Sequence, residues 1–310
     1  MILTVTLNAA IDKRYVVENY QVGEVNRVKE CAYVAGGKGL NVSKTATIAG
    51  AQVLATGFAG GHAGAYIIEA VEKQGVATDF IQVKGESRSC INIYDSVNKT
   101  QTEFLEPGVV VSEEEQRAFY LKFDQLLTKC DIVAMSGSVP KGVGTDMYPK
   151  LVELAKAAGK KIIVDTSGAL LEEAVKAKPN MIKPNIDEIR LLTGKQILDR
   201  EELIEAGIEL QKSGIERVVI SLGADGSLMF VEEGVYQAVV PKIDAVNTVG
   251  CGDCMTAGFA ISFERGMSPE EALRFASATS AASAMREETG YFVTEDMEDL
   301  FDQIEIKKLR

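Results

Sequence analysis

From about residue 106 onward, short apolar runs alternate with longer segments of helical period. "DIVAMSGS" precedes a helix predicted over 145–158, "KKIIVDTSG" one over 169–177 and "MIKPN" one over 186–194, with "RVVISLG" a further strand. Runs this short and rich in Ile and Val read as buried strands, and a helix between successive strands makes them parallel neighbours joined by crossovers. Two helix starts are spelled out by capping boxes, Ser112 with Glu115 and Ser268-Pro269 with Glu271. In each, a hydroxyl and a carboxylate satisfy amides that the first turn leaves free.

The N-terminal third departs from this pattern. "MILTVTLN" predicts a buried strand, and "GLNVSKTATIAG" a helix followed by the strand "VLATGF". Residues 13–34 and about 80–105 alternate polar and apolar positions, with a turn at "VNKT", which a sheet buried on both faces would not hold. They are expected to form a small second sheet, projecting from the core as a lid over a cleft. No repeat, low-complexity tract or long linker interrupts the chain, so residues 1–310 are expected to form one α/β domain carrying that lid.

With 310 residues, 46% of them hydrophobic, the chain can fill a large core. Its 33 Lys and Arg against 45 Asp and Glu leave a net charge of −12, which opposes adhesion to nucleic acid or to an anionic membrane. An anionic small molecule would have to be gripped by a few local cations and backbone amides. Five scattered cysteines, an odd number, make no disulfide framework. There is no apolar run of membrane-spanning length and no leader-like start, so a cytoplasmic location is expected.

In "NTVGCGDCMTAGF", Gly250, Cys251, Gly252 and Asp253 stand where a small-residue helix begins. Amides at such a start converge on one point and favour an anion. An acid at its edge suits a base that takes a hydroxyl proton during phosphoryl transfer; the same aspartate could instead cap the helix. Cys251-x-x-Cys254 also has the spacing of a redox dithiol or half a zinc site, but the thioredoxin-like context is missing and His62 is the only histidine. "AGGKGLN" places Gly37, Lys38 and Asn41 before a helix, either as a structural turn or as a close approach of backbone to a polar ligand. Its lysine comes too early for the phosphate loop GxxxxGK[ST]. "IKPNIDEI" holds Lys183, Asn185 and Glu188, readable as an ordinary helix cap or as a polar pair aimed at Mg²⁺-bound water or a nucleotide phosphate.

Taken in order, "TLNAAID", "GGKGLN", the "SR" at 87–88, "SGSVP", "KPNIDE", "SLGADG" and "NTVGCGDCMTAGF" resemble the ribokinase-like sugar kinases, the PfkB carbohydrate kinase family, over nearly the whole chain. The resemblance implies a ribokinase-like α/β fold: a mostly parallel, doubly wound sheet with helices on both faces, plus a small β-sheet lid. It implies ATP and Mg²⁺ as cofactors and a small sugar phosphate as partner. By matching position it makes Asp253 the catalytic base, and the amides of Gly250, Cys251, Gly252 and Asp253 the anion hole. Asp12 and Asn41 would hold sugar hydroxyls; Gly37, Lys38, Arg88 and Ser136 would surround the sugar phosphate, with Arg27 reaching in from the lid. Lys183, Asn185 and Glu188 would serve ATP phosphates and Mg²⁺, the latter two through water, and Ser221 with Gly223 would border the nucleotide. An exposed lid sheet could pair across a homodimer.

Within the family, "TLN", "VNRV" and "SGSVP" resemble the branch that phosphorylates ketohexose monophosphates. "SRSCINI", "QTEFLEPG" and "ETGY" are similar to tagatose-6-phosphate kinases, which implies tagatose 6-phosphate as substrate. "VGEVNRV" and "NTVG" fit 1-phosphofructokinases, which keeps fructose 1-phosphate as the alternative. Two departures stand out: Ala9 where the branch commonly has proline, and "GCGDC" where the family typically has G-A-G-D-S. The acid and both glycines remain, whereas a non-enzymatic sugar-binding protein on this fold would be expected to have lost one of them.

Overall fold

The computed structural model describes residues 1–310. The apolar runs assemble one large sheet in the order β15 (Glu305–Lys308), β14 (Gly234–Val239), β13 (Ser227–Val231), β12 (Arg217–Ser221), β11 (Met181–Ile182), β10 (Lys161–Asp165), β9 (Ile132–Ser136), β1 (Ile2–Thr6), β4 (Val53–Gly60) and β5 (Ala77–Thr78), with β6 (Ile81–Val83) also on β4. From β12 through β5 every pairing is parallel. β13, β14 and β15 extend the sheet antiparallel, an edge that strand–helix alternation does not predict.

Helices α1 (Lys38–Ile48), α2 (Gly61–Glu72), α8 (Cys251–Arg265), α9 (Pro269–Ala284) and α10 (Thr294–Gln303) cover one face. The other carries α3 (Glu113–Leu127), α4 (Met147–Ala157), α5 (Gly168–Lys176), α6 (Ile186–Thr193) and α7 (Arg200–Lys212). Side chains of one strand alternate between the two layers: Ile163 joins a core of 38 residues and Ile162 and Val164 one of 35, so neither face is exposed to water. Both capping boxes form, opening α3 and α9 as expected.

A separate four-stranded sheet runs β3 (Glu30–Gly36), β2 (Ala10–Val17), β7 (Arg88–Asp95), β8 (Thr100–Leu105). Its limits differ from the expected 13–34 and 80–105. Residues 81–83 pair with β4 because Phe80 and Val83 are buried in the large core, and residues 18–29 form a loop rather than strand. Asp95 pins that loop, its carboxylate accepting from the Asn19 and Tyr20 amides at 2.9 and 2.7 Å. Because β1 leads into β2 and β3 leads into α1, the small sheet is rooted at the carboxyl ends of the parallel strands, where open α/β sheets bind ligands.

Candidate active site

Four neighbouring strands each close an apolar run with a polar residue: Thr6 on β1, Ser136 on β9, Asp165 on β10 and Lys183 just after β11. The register sets Val5 beside Met135, Ser136 beside Asp165 and Val164 beside Ile182, which lines the four up in one buried row. Above the row two helices begin. Gly37 precedes α1 with φ 108° and Gly250 precedes α8 with φ 83°, and neither start has a side-chain cap. The amides of Gly252 and Asp253 find no acceptor within the chain. A Cβ at Gly252 would come within 3.2 Å of Lys183 Nζ, so bare backbone and an ammonium share one cradle. Such a helix start favours an anion.

Asp253 does not cap its helix. Its Oδ2 accepts from Asn41 Nδ2 at 2.8 Å, which ties α8 to α1, and the side chain is buried. Burial, then the nearby charge of Asp165, push its carboxyl up to about 6, against the opposing pull of the Asn41 hydrogen bond and of Lys38 and Lys183. Asp165 itself receives Lys183 Nζ at 3.2 Å, Lys38 Nζ at 3.6 Å and Thr256 Oγ1 at 3.0 Å. Burial would raise this carboxyl, but the two ammonium groups and the hydroxyl outweigh it and hold it below the ordinary carboxylate range. An acid poised to accept a proton thus stands beside one that stays ionised, and a difference of this kind separates proton-transfer roles.

Next to the row opens a cavity of about 220 Å³. Lys38, Arg88, Asn8 and five Ser and Thr residues line it, with no carboxylate among them. Arg88 is held in place by donating Nε to Asn8 O at 3.1 Å and Nη1 to Glu106 O at 3.2 Å. The hydroxyls of Thr6 and Ser136 are buried there without a partner. Asp12, half-buried on β2, fits only because Gly36 has no side chain: a Cβ there would lie 1.9 Å from Asp12 Oδ2.

Asn185 and Glu188 bond reciprocally, side chain to backbone, at 2.9 and 2.8 Å, so the ordinary cap is present. It leaves Glu188 Oε1 and Asn185 Nδ2 uncommitted, and Glu188 lies in the field of Lys38. The Ser221 amide donates to Pro184 O at 3.2 Å, which sets Ser221 and the following turn at Gly223 beside Asn185. Arg27 is the exception. It is exposed on the 18–29 loop among that loop's own residues, away from the lining of the cavity, because Asn26 folds the loop back onto Gln21.

The surroundings of the cysteines disfavour a dithiol site. All five are free; burial pushes the Cys251 thiol up to about 12 and also raises Cys254, which packs against Thr45 Oγ1 at 3.2 Å. Redox and metal chemistry need the thiolate, which this environment disfavours.

Polar strand ends, two bare helix starts and a buried aspartate thus meet at the carboxyl ends of the parallel strands. The family model described as pfkB family carbohydrate kinase matches residues 5–296. The chain belongs to the pfkB family of carbohydrate kinases. It is 39% identical over 309 residues to a tagatose-6-phosphate kinase of Staphylococcus epidermidis, with 99% of each chain covered. Phosphofructokinase-2 from Escherichia coli, solved with potassium, superposes with a TM-score of 0.92 at 26% identity, covering 97% of this chain and 98% of that one. A possible 1-phosphofructokinase from Thermotoga maritima superposes at 0.91 with 30% identity and 100% of both chains covered. The fold is therefore ribokinase-like, and the pfkB chain is a phosphotransferase with an alcohol group as acceptor and ATP as donor.

Membership in this family gives the cysteine pair a direct test. Cys251→Ala with Cys254→Ser, in reducing buffer, is expected to leave turnover within a few-fold, because the free amides at this helix start belong to the backbone and not to either thiol. Loss of most activity, with circular dichroism unchanged, would return the dithiol to contention.

Proposed function

We propose that the chain transfers the γ-phosphoryl group of ATP to a ketohexose monophosphate, and specifically converts tagatose 6-phosphate to tagatose 1,6-bisphosphate. The observation that carries this is the cavity: in a chain of net charge −12, Lys38 and Arg88 meet there with hydroxyls and no carboxylate, a lining for a substrate that already bears a phosphate. The relative at 39% identity is named for tagatose 6-phosphate, and the Thermotoga neighbour at 30% keeps fructose 1-phosphate as the second substrate.

In this scheme Lys38, Arg88, Gly37 and Ser136 surround the sugar phosphate, and Asp12 with Asn41 orient the sugar. The amides of Gly252 and Asp253, with Lys183, hold the ATP phosphates, bordered by Ser221 and Gly223. Asp253 takes the proton of the acceptor hydroxyl as its oxygen bonds to the γ-phosphorus and the bond to ADP breaks. Glu188 and Asn185 would hold Mg²⁺: their cap leaves Glu188 Oε1 uncommitted, and this ion commonly keeps its waters and shares one carboxylate with substrate phosphates. When bound it would neutralise phosphate charge.

A coupled ADP-release assay over a panel of hexose monophosphates tests the assignment, and no release above background with any ketohexose monophosphate would sink it. Arg88→Ala should raise KM for the sugar phosphate by about tenfold to a hundredfold, the worth of a charge-assisted hydrogen bond, with KM for ATP within about twofold. Equal effects on both substrates would place Arg88 outside the phosphate site.

The small sheet would act as a lid, and its outer face would pair across a homodimer. Register aligns Tyr33, Lys13, Ile91 and Phe104 across that face, with Tyr33 and Phe104 about half exposed. Free thiols suit a reducing compartment, and we place the protein in the cytoplasm; no helix is long and apolar enough to cross a membrane.

A further inference from the structure

Lys44 lies on α1 one turn beyond Asn41, is 5% exposed, and has no part in the scheme above. Its Nζ donates to Ala35 O at 3.2 Å and to Thr289 O at 3.3 Å. Ala35 is near the end of β3, just before the glycine turn that makes room for Asp12 and begins α1. Thr289 carries the methyl that fills the space a Gly250 side chain would need, 2.4 Å from its ideal Cβ, and so abuts the start of α8. The next residue, Gly290, packs on Asn41 and accepts from Thr45 Oγ1 at 3.1 Å. One ammonium therefore joins the root of the small sheet and the loop beneath the anion cradle to α1, the helix whose Asn41 bonds Asp253. An apolar side chain of similar length would fill the same space without burying a charge, so packing alone does not account for a lysine here.

We propose that Lys44 is a positioning residue for phosphoryl transfer, its ammonium fastening the root of the small sheet and the Thr289 loop to α1 so that Asp12 and Asp253 face the substrate in register. This rests on the kinase reaction proposed above. Around the ammonium stand Asp12 from β2, Asp253 and Cys254 from α8, and Glu288 from the loop. Burial lowers its pKa, while Asp12 and Asp253 oppose that shift; in return the cation favours both carboxylates in their ionised form. Asp253 is faced in addition by Asp165, Lys38, Lys183 and Asn41, all of which remain when Lys44 is replaced.

Lys44→Met and Lys44→Gln, compared with wild type across a pH series, separate tether from charge. The Met variant should lose at least about tenfold in kcat, the effect of a small misplacement of reacting groups, with KM for ATP nearly unchanged. The acid limb of its kcat/KM profile should move to higher pH, since Asp253 ionises less readily without the cation. Gln can still donate to a carbonyl, so it should retain more turnover yet show the same displaced limb. An unmoved limb in both variants, whatever the turnover, overturns the proposal and leaves Lys44 a packing residue. If the Met variant does not fold, the Gln profile alone decides. Carbon NMR titration of the Asp253 carboxyl reads the same displacement without turnover. Wild type that phosphorylates no ketohexose monophosphate would thus defeat the kinase reaction, while the Lys44 coupling is still decided by the titration.

Discussion

Replacing Asp253 by Asn is expected to lower turnover by at least about a hundredfold, the usual worth of a general base, while ATP affinity changes little. The substitution keeps shape and leaves an oxygen for Asn41 Nδ2, and the ATP phosphates are assigned to backbone amides that it does not touch. Only the capacity to take a proton goes. With the carboxyl pushed up to about 6, wild-type kcat/KM should fall about tenfold per pH unit below that value, and the Asn variant should lose this limb. Stability should move the other way. A carboxyl whose folded pKa lies above its ordinary 3.8 stabilises the fold when protonated, and that contribution is lost as pH rises through about 6. Asn cannot ionise, so the variant should melt no lower than wild type at neutral pH. A variant retaining more than a tenth of wild-type turnover removes Asp253 from the base role.

What could be read in advance was what the chain encodes locally. The parallel strands, their crossover helices and both capping boxes follow from patterns spanning a few residues, and the two glycine-led helix starts are visible because a positive φ needs glycine. The edge of the small sheet was not legible, because residues 81–83 alternate like lid strands and only their pairing with β4 assigns them to the core. Asp165 and Lys44 were missed for a related reason. An aspartate at a strand end and a lysine on a helix read as solvated singly; their roles arise from register across four strands and from the burial of α1. A signal was nonetheless present: "ILTVT", "IVAMS", "KIIVD" and "MIK" each close an apolar run with a polar residue at the ligand-binding end of a parallel sheet. Arg27 stands apart from the cavity, since its motif is local but the loop that carries it folds on itself.

Asp165→Asn should shift the acid limb of kcat/KM to lower pH, opposite to the Lys44 variants. The Asp165 charge is the second cause, after burial, that raises Asp253, and removing it also frees Lys38 and Lys183 to favour the Asp253 carboxylate. Both changes make the base easier to ionise. Turnover should nevertheless fall, by about tenfold or more, because the two ammonium groups lose the anchor that aims them. Lys183 is only 6% exposed and would lose the carboxylate its ammonium is paired with, which should lower stability at pH 7 by on the order of 3 kcal/mol. The sign follows from the depressed Asp165 pKa: its contribution is full above the ordinary carboxylate value and fades only as pH falls through the folded one, so the loss should shrink in acid. Denaturant midpoints at pH 7 and in acid, set beside the pH–rate profile, check both parts. An acid limb that stays in place or rises would mean that Asp165 does not set the ionisation of Asp253, and that the lysine pair is held for stability alone.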